Sequence, residues 1–248
     1  MLGCALQGRR EQAIIATKFP LTPNYESISG HPDHVKKAAE DSLRRLNKDN
    51  IHLYFQHRVA PQIPTEKTFG AIADLVKAGK VRVLDLSEAS AFFLRRAHAE
   101  YPTSVLESEY SLWIRDIEDE ILPAVREFGI THVAYSPLSR GFISGELHRC
   151  MPRFQGDNFR KNIEVVDKIK EIAMEKNCTP SQLAIAWTIA NGALPIPGTK
   201  RIKYLEENAT GTDILLTMEE LERIDQVSPK NVVNGTHYMK EQMSLLYG

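Results

Sequence analysis

Cysteine is scarce: Cys4, Cys150 and Cys178 are the only three in 248 residues, far apart and in no CxxC spacing. That scarcity excludes a disulfide framework, leaves no expectation of a metal site, and points to a reducing compartment. Long apolar runs are also missing. No stretch approaches the roughly 18 consecutive apolar residues that a membrane span requires. The opening MLGCALQGRREQ is too short and too charged for a secretory signal, so a cytoplasmic location is expected. Nor is there an excess of charge of one sign, since 31 Lys and Arg face 32 Asp and Glu. No basic field therefore announces a nucleic-acid or membrane partner. Repeats, low-complexity tracts and linker-like shifts of composition are lacking too, and one domain over residues 1–248 is the simplest organisation.

The sequence does contain a regular alternation of short apolar strands and amphipathic helices. Strands are expected at residues 13–18, 51–57, 81–86, 104–109, 131–135 and 194–196. Helices are expected from an Asp33 N-cap through Leu46, then before Gly79, at 90–100, 118–128, 164–176, 179–192, from about 202, and at 217–227. Thr179-Pro180-Ser181-Gln182 and Thr217-Met218-Glu219-Glu220 read as capping boxes, the first with proline at the opening helical position. Residues 136–162 read as an irregular loop. Such alternation means parallel strands joined by right-handed crossovers, an α/β fold. Six strands are counted where a closed barrel of this type has eight, so the sheet is either open or short of two strands.

Polar residues gather where these strands end: Lys18, His57, Ser87-Glu88, Glu109-Tyr110 and Tyr135-Ser136. Parallel α/β folds build their sites on that face. Taken singly, each of these residues reads equally as a solvated strand end or a satisfied core histidine; the recurrence at successive ends is what marks a site.

Several segments, in order along the chain, resemble the aldo-keto reductase superfamily. They are Leu2-Gly3-Cys4-Ala5-Leu6 with Ile14 to Phe19, Asp41 to Leu46, Tyr54-Phe55-Gln56-His57-Arg58, Leu86-Ser87-Glu88-Ala89-Ser90 and Glu109 to Trp113. Ala134-Tyr135-Ser136-Pro137-Leu138, Arg140-Gly141-Phe142, Pro195 to Arg201 and Glu206-Glu207-Asn208 complete the set. The flavour is similar to the fungal, plant and bacterial branch. The resemblance implies a (β/α)8 TIM-type barrel, here without its first two strands and first helix. It also implies an NADPH-dependent reduction of an aldehyde or ketone, or the reverse oxidation of an alcohol, with a place in secondary metabolism. Lys18 takes the role of the lysine that lowers the pKa of a proton-donating tyrosine, and His57 the role of the histidine that polarises the carbonyl. Tyr135 is implied to stack on the nicotinamide, with Ser87 and Glu107 at the carboxamide. Ser136, Leu138, Ser139 and Arg140 are implied along the pyrophosphate, Thr199, Lys200 and Arg201 at the 2′-phosphate, and Glu207 and Asn208 at the adenine.

The chain also departs from the family's pattern. Asp85 stands where glycine is usual, Glu107 where glutamine is, losing an NH2 donor, and Ser139 where glycine is. The family's aspartate and tyrosine precede the segment with which this sequence opens, and neither Tyr25 nor Tyr54 is an obvious substitute. The expectation is therefore of an N-terminally truncated chain with exposed strand edges open to self-association. The alternative to a working reductase is a catalytically impaired NADP(H)-binding regulatory protein or a truncated gene product. Trp113 and Phe154 read as packing residues rather than pocket walls.

Overall fold

The computed structural model describes residues 2–19, 29–60, 62–143 and 155–236. Among them are six strands: β1 (Ala16–Phe19), β2 (Ile51–Gln56), β3 (Val81–Ser87), β4 (Thr103–Glu109), β5 (Thr131–Tyr135) and β6 (Ala193–Ile196). They follow one another in a single sheet in chain order, and β1–β2, β2–β3 and β5–β6 pair in parallel. The helices are α1 (Leu2–Ala5), α2 (Pro32–Leu46), α3 (Thr65–Lys77), α4 (Ala91–Glu100), α5 (Ile121–Glu127), α6 (Gly156–Glu175), α7 (Pro180–Ala190), α8 (Ile202–Thr210) and α9 (Met218–Val227). This is the α/β architecture with six strands that the alternation implies. The described residues divide into two compact units, one of residues 2–106 with 123–131 and one of 107–122 with 132–236.

In the first unit β1 starts later than expected. The Ile15 amide, which would extend the ladder, donates instead to His52 Nδ1 at 2.8 Å. Helix α2 is capped by His31 rather than Asp33. Pro32 takes the first helical position, and His31 Nδ1 accepts from the Asp33 amide. Val35, Ala39, Ser42 and Leu43 form its buried stripe. Helix α3 buries Phe69, Ile72 and Leu75 and stops at Gly79, whose φ of +70° is one that β-carbon-bearing residues resist.

In the second unit both capping boxes form, at Thr179 with Gln182 and at Thr217 with Glu220. Two expected boundaries move. Helix α5, whose residues from Pro123 onward belong to the first unit, begins at Ile121 rather than 118, because Pro123 has no amide to donate and is tolerated only in a first turn. The helix read at 164–176 begins at Gly156, inside the stretch read as a loop. Its apolar stripe runs back from Ile169 and Val166 to Asn162, which is fully buried. Burial of that amide is tolerated because it is satisfied: Nδ2 donates to Asn234 O at 3.0 Å, and Oδ1 accepts from the Asn234 amide at 2.9 Å. Trp113 is buried edge-to-face against Phe142, a packing residue as expected; Tyr25, Cys150 and Phe154 lie outside the described residues.

Candidate functional site

In the first unit the sheet register sorts side chains onto two faces. Ala16, Leu53 and Val83 are paired in one row and Lys18, Phe55 and Asp85 in another two residues on. Successive side chains alternate, so both rows share a face. The intervening row, Thr17, Tyr54 and Leu84, faces the helices, as the Tyr54 hydroxyl shows by donating to Val35 O on α2 at 3.0 Å. Tyr54 thus points away from the strand ends that carry the candidate residues.

One step beyond the Lys18 row the same face carries His57, directly after β2, and Ser87, the last residue of β3. Lys18 is half-buried, with Nζ 5.7 Å from the centroid of the Phe55 ring. His57 is also half-buried. Burial pushes its pKa down to about 4, and the positive charges of Lys18 and Arg58 push the same way. At neutral pH His57 is therefore an uncharged imidazole, offering one N–H donor beside a cation. Ser87 is buried.

A feature that sequence reasoning missed lies beside these two. Arg58 Nη1 stands 3.4 Å from Glu88 Oε2, with side chains 12% and 1% exposed. The ion pair ties the residue after His57 to the residue after Ser87. Glu88 holds it with a φ of +51°, a left-handed conformation that costs a residue with a β-carbon free energy unless its surroundings impose it. The only sequence signal was the adjacency of one charge to each predicted site residue.

The second unit carries the remaining candidates. Tyr135 ends β5 half-buried, in register with Ile196 of β6. After it the backbone becomes unusual: Ser136, Ser139 and Arg140 have φ of 52°, 52° and 58°, and Gly141 follows at 88°. Three left-handed residues with β-carbons in so short a loop are a local strain of the kind that clusters at ligand sites, and they turn successive backbone groups away from a helical or extended ladder. Two of the loop's amides remain internal, Ser139 N to Ser136 O and Gly141 N to Leu138 O. The Ser139 hydroxyl donates to Ser111 Oγ at 3.2 Å and is buried. Arg140 Nη2 donates to Glu109 Oε2 at 3.1 Å, and Glu109 is 2% exposed. Leu138 is half-buried. Glu107 lies buried on β4, two residues before Glu109.

Thr199, Lys200 and Arg201 are exposed in the turn that opens α8. The Thr199 hydroxyl accepts from the Arg201 amide at 3.2 Å, and the Arg201 guanidinium sits 5.5 Å from the Tyr204 ring centroid. Glu207 accepts from the Thr179 hydroxyl at 2.7 Å, which docks α8 on the cap of α7. Asn208 is buried on the same helix. The structure thus gathers Lys18, His57 and Ser87 on one face of the first unit. In the second it places Tyr135, Ser136, Leu138, Ser139 and Arg140 in one strained loop, and Thr199 to Arg201 at one helix start.

Comparison with known proteins places the chain in a family and a fold. The chain matches the model of the Aldo/keto reductase family over residues 1–229. It is 45% identical over 244 residues to the aldo-keto reductase str7 of Strobilurus tenacellus, covering 92% of this chain and 72% of that one. A thermostable aldo-keto reductase, solved with the inhibitor epalrestat, superposes with a TM-score of 0.77 at 28% identity over 91% of this chain and 76% of that one. A glycerol dehydrogenase from Gluconobacter oxydans gives a TM-score of 0.85 over 96% of this chain and 79% of that one; at 24% identity it speaks for the fold alone. Among the described residues no helix is long and apolar enough to cross a membrane.

Proposed function

We propose, on the premise that this chain belongs to the aldo/keto reductase family, that it reduces an aldehyde or ketone with hydride from NADPH. Family membership makes it an oxidoreductase of carbonyl compounds. The cofactor and the residue roles are our reading. The observation that carries it is that Lys18 and His57 lie on one face of the sheet at the strand ends, with His57 held uncharged at neutral pH first by its burial.

Bound, a nicotinamide cofactor supplies the hydride. The chain's own residues polarise the carbonyl and stabilise the developing charge, and the alkoxide left by hydride addition takes its proton from solvent water. His57, neutral at pH 7, donates an N–H hydrogen bond to the substrate carbonyl oxygen and polarises it without adding a charge. Lys18 holds a cation near the oxygen as negative charge develops there, an interaction stronger in the transition state than in the ground state. The Arg58–Glu88 pair fixes the backbone that presents His57 and Ser87.

The fit of the cofactor rests on chemistry that the chain displays. Tyr135 offers a ring, Ser87 and Glu107 offer polar groups for a carboxamide, and the left-handed stretch Ser136 to Gly141 offers redirected backbone groups for a pyrophosphate. Lys200 and Arg201, exposed at the start of α8, suit a terminal phosphate and favour NADPH over NADH. Glu207 and Asn208, further along α8, take the adenine. The substrate is a small carbonyl compound, with a place in secondary metabolism as the finer reading. The test is consumption of NADPH with para-nitrobenzaldehyde. Turnover with NADPH well above that with NADH supports the proposal. Tight NADPH binding without turnover would instead make the chain an NADP(H)-binding regulator, and absence of both would overturn it.

A further inference from the structure

One residue of the inner face of the first unit does not match its surroundings. Asp85 is in register with Phe55, which is in register with Lys18, so the three make one row. Asp85 is wholly buried. Its Oδ1 accepts from the Val105 amide at 2.8 Å. Its Oδ2 is buried without a hydrogen-bond partner, and no lysine or arginine among the described residues forms an ion pair with it. A carboxylate in that position is a buried, uncompensated charge, whereas a carboxylic acid is not. Burial accordingly pushes this carboxyl up to about 7, although the amides of Val105 and Ser104 pull it down.

The placement gives this acid a consequence. Asp85 lies two residues before Ser87 on the same strand and the same face, and its row lies directly beneath the pair His57 and Ser87. As a neutral acid it fits a dry layer. As an anion it needs water or a cation, and either requires β3 to give way or Lys18 to be drawn past Phe55. Both changes act on the residues that the carbonyl-reductase reading uses.

We propose that Asp85 is a positioning residue for carbonyl reduction, holding the His57 and Ser87 end of the sheet in place as a neutral carboxylic acid. This rests on the carbonyl-reductase reading above. Two other titratable or charged groups of the first unit face the same layer. Lys18 is in the row on β1, and His57 is one step above it on β2. Further along β4 the alternation of the strand puts Glu107 and Glu109 on the same side as Val105. His57 titrates near 4, well below the window in question, and Glu107→Gln and Glu109→Gln are compared with the wild type for the pH midpoint of the limb alone and not for rate, since Glu107 belongs to the proposed cofactor site and Glu109 holds Arg140.

The experiment measures NADPH-dependent reduction of para-nitrobenzaldehyde by the wild type, Asp85→Asn, Glu107→Gln and Glu109→Gln from about pH 6 to about pH 9. Asparagine mimics the neutral acid. The expected result is a wild-type kcat that falls about tenfold per pH unit above neutrality with little change in KM. Asp85→Asn abolishes that limb and the two glutamate variants keep it. Turnover with the same limb in Asp85→Asn overturns the role of Asp85 alone. No turnover in any variant at any pH overturns the carbonyl-reductase reading and this role with it. Should Asp85→Asn fail to fold, infrared difference spectra of the wild type decide. The carbonyl stretch of a protonated carboxylic acid that disappears as pH rises through neutrality supports the inference, and its absence overturns it.

Discussion

Arg115 follows the β4 strand end and is 9% exposed, yet it carries a full charge into the second unit. Its Nε and Nη2 donate to Glu118 at 2.8 and 3.3 Å. Its Nη1 donates to Asp225 at 2.7 Å and to the Ser228 carbonyl at 3.0 Å, and its guanidinium lies 5.1 Å from the Trp187 ring centroid. Consider Arg115→Met, which keeps much of the stem over Trp187. Asp225 is 48% exposed and returns to water at little cost. Glu118 is 14% exposed and keeps the Tyr110 hydroxyl at 2.9 Å and Lys230 at 3.3 Å. The Ser228 carbonyl, on a wholly buried residue, is left unmet. Removing one partner of a buried pair costs about 3–5 kcal/mol, and the partners that Glu118 retains place this case near about 3. For a chain of this size that is a fall of roughly 6–12 °C in Tm. Urea unfolding of the wild type, Arg115→Met, Glu118→Gln and the double variant checks it, with an expected coupling of about 2 kcal/mol between the two sites. A loss below about 1 kcal/mol, or strict additivity, would show that the network is a surface-like ion pair of little weight.

Other expectations follow from the same geometry. Lys18→Met is expected to lower kcat on the order of 100- to 1,000-fold with a smaller effect on KM, read by steady-state kinetics, because its charge acts on the transition state. Replacing Lys200 and Arg201 with methionine should raise the KM for NADPH by on the order of 10- to 100-fold per charge and leave that for NADH nearly unchanged, since each charge-assisted contact to a phosphate is worth about 1.5–3 kcal/mol. Gly3→Ala should lower Tm, because a Cβ there would lie 2.4 Å from the Leu46 carbonyl oxygen and force α1 off α2; an unchanged Tm would show that α1 contributes nothing to stability.

The alternation of strand and helix, the capping boxes and the buried stripes were legible because each depends on residues close in sequence. The boundaries that moved did so for reasons that periodicity does not register. Ile15 lost its ladder amide to an imidazole 37 residues away, and Asn162 reads as a loop residue until Asn234 supplies its partners. Lys18, His57, Ser87 and Tyr135 could be named from strand ends and resemblance. The Arg58–Glu88 pair could not, since nothing in either segment announces the other. The same holds for Arg115 and Asp225, 110 residues apart. Nor did sequence foretell the left-handed Ser136, Ser139 and Arg140, because intrinsic preference places glycine in such conformations. Asp85 stood out as an oddity from the start, but only the structure shows that its second oxygen is stranded.

Three groups, two buried and one half-buried, with opposed titrations should shape the pH dependence of stability. His57 and His132 are held near 4, well below the ordinary 6.5, in both cases first by burial. His132 makes the point starkly, with both ring nitrogens buried and unpartnered among the described residues. Between pH 6.5 and 4 the unfolded chain binds protons that these folded imidazoles refuse, so stability falls as pH falls, by at most about 3 kcal/mol for each. Asp85 works the other way. Its folded carboxyl keeps a proton up to about 7 that the unfolded one releases above 3.8, so stability falls as pH rises through that window, by at most about 4 kcal/mol. The windows overlap, and in the wild type one histidine's loss on acidification is offset by the gain at Asp85. Asp85→Asn removes the offset, so its stability should fall more steeply than the wild type's between pH 6.5 and 4. His132→Phe should fall less steeply. Differences between variants cancel the contribution of the surface carboxylates, which titrate alike in all three proteins. Urea midpoints across this range read both slopes, and parallel slopes for Asp85→Asn and wild type would mean that Asp85 is ionised in the folded protein.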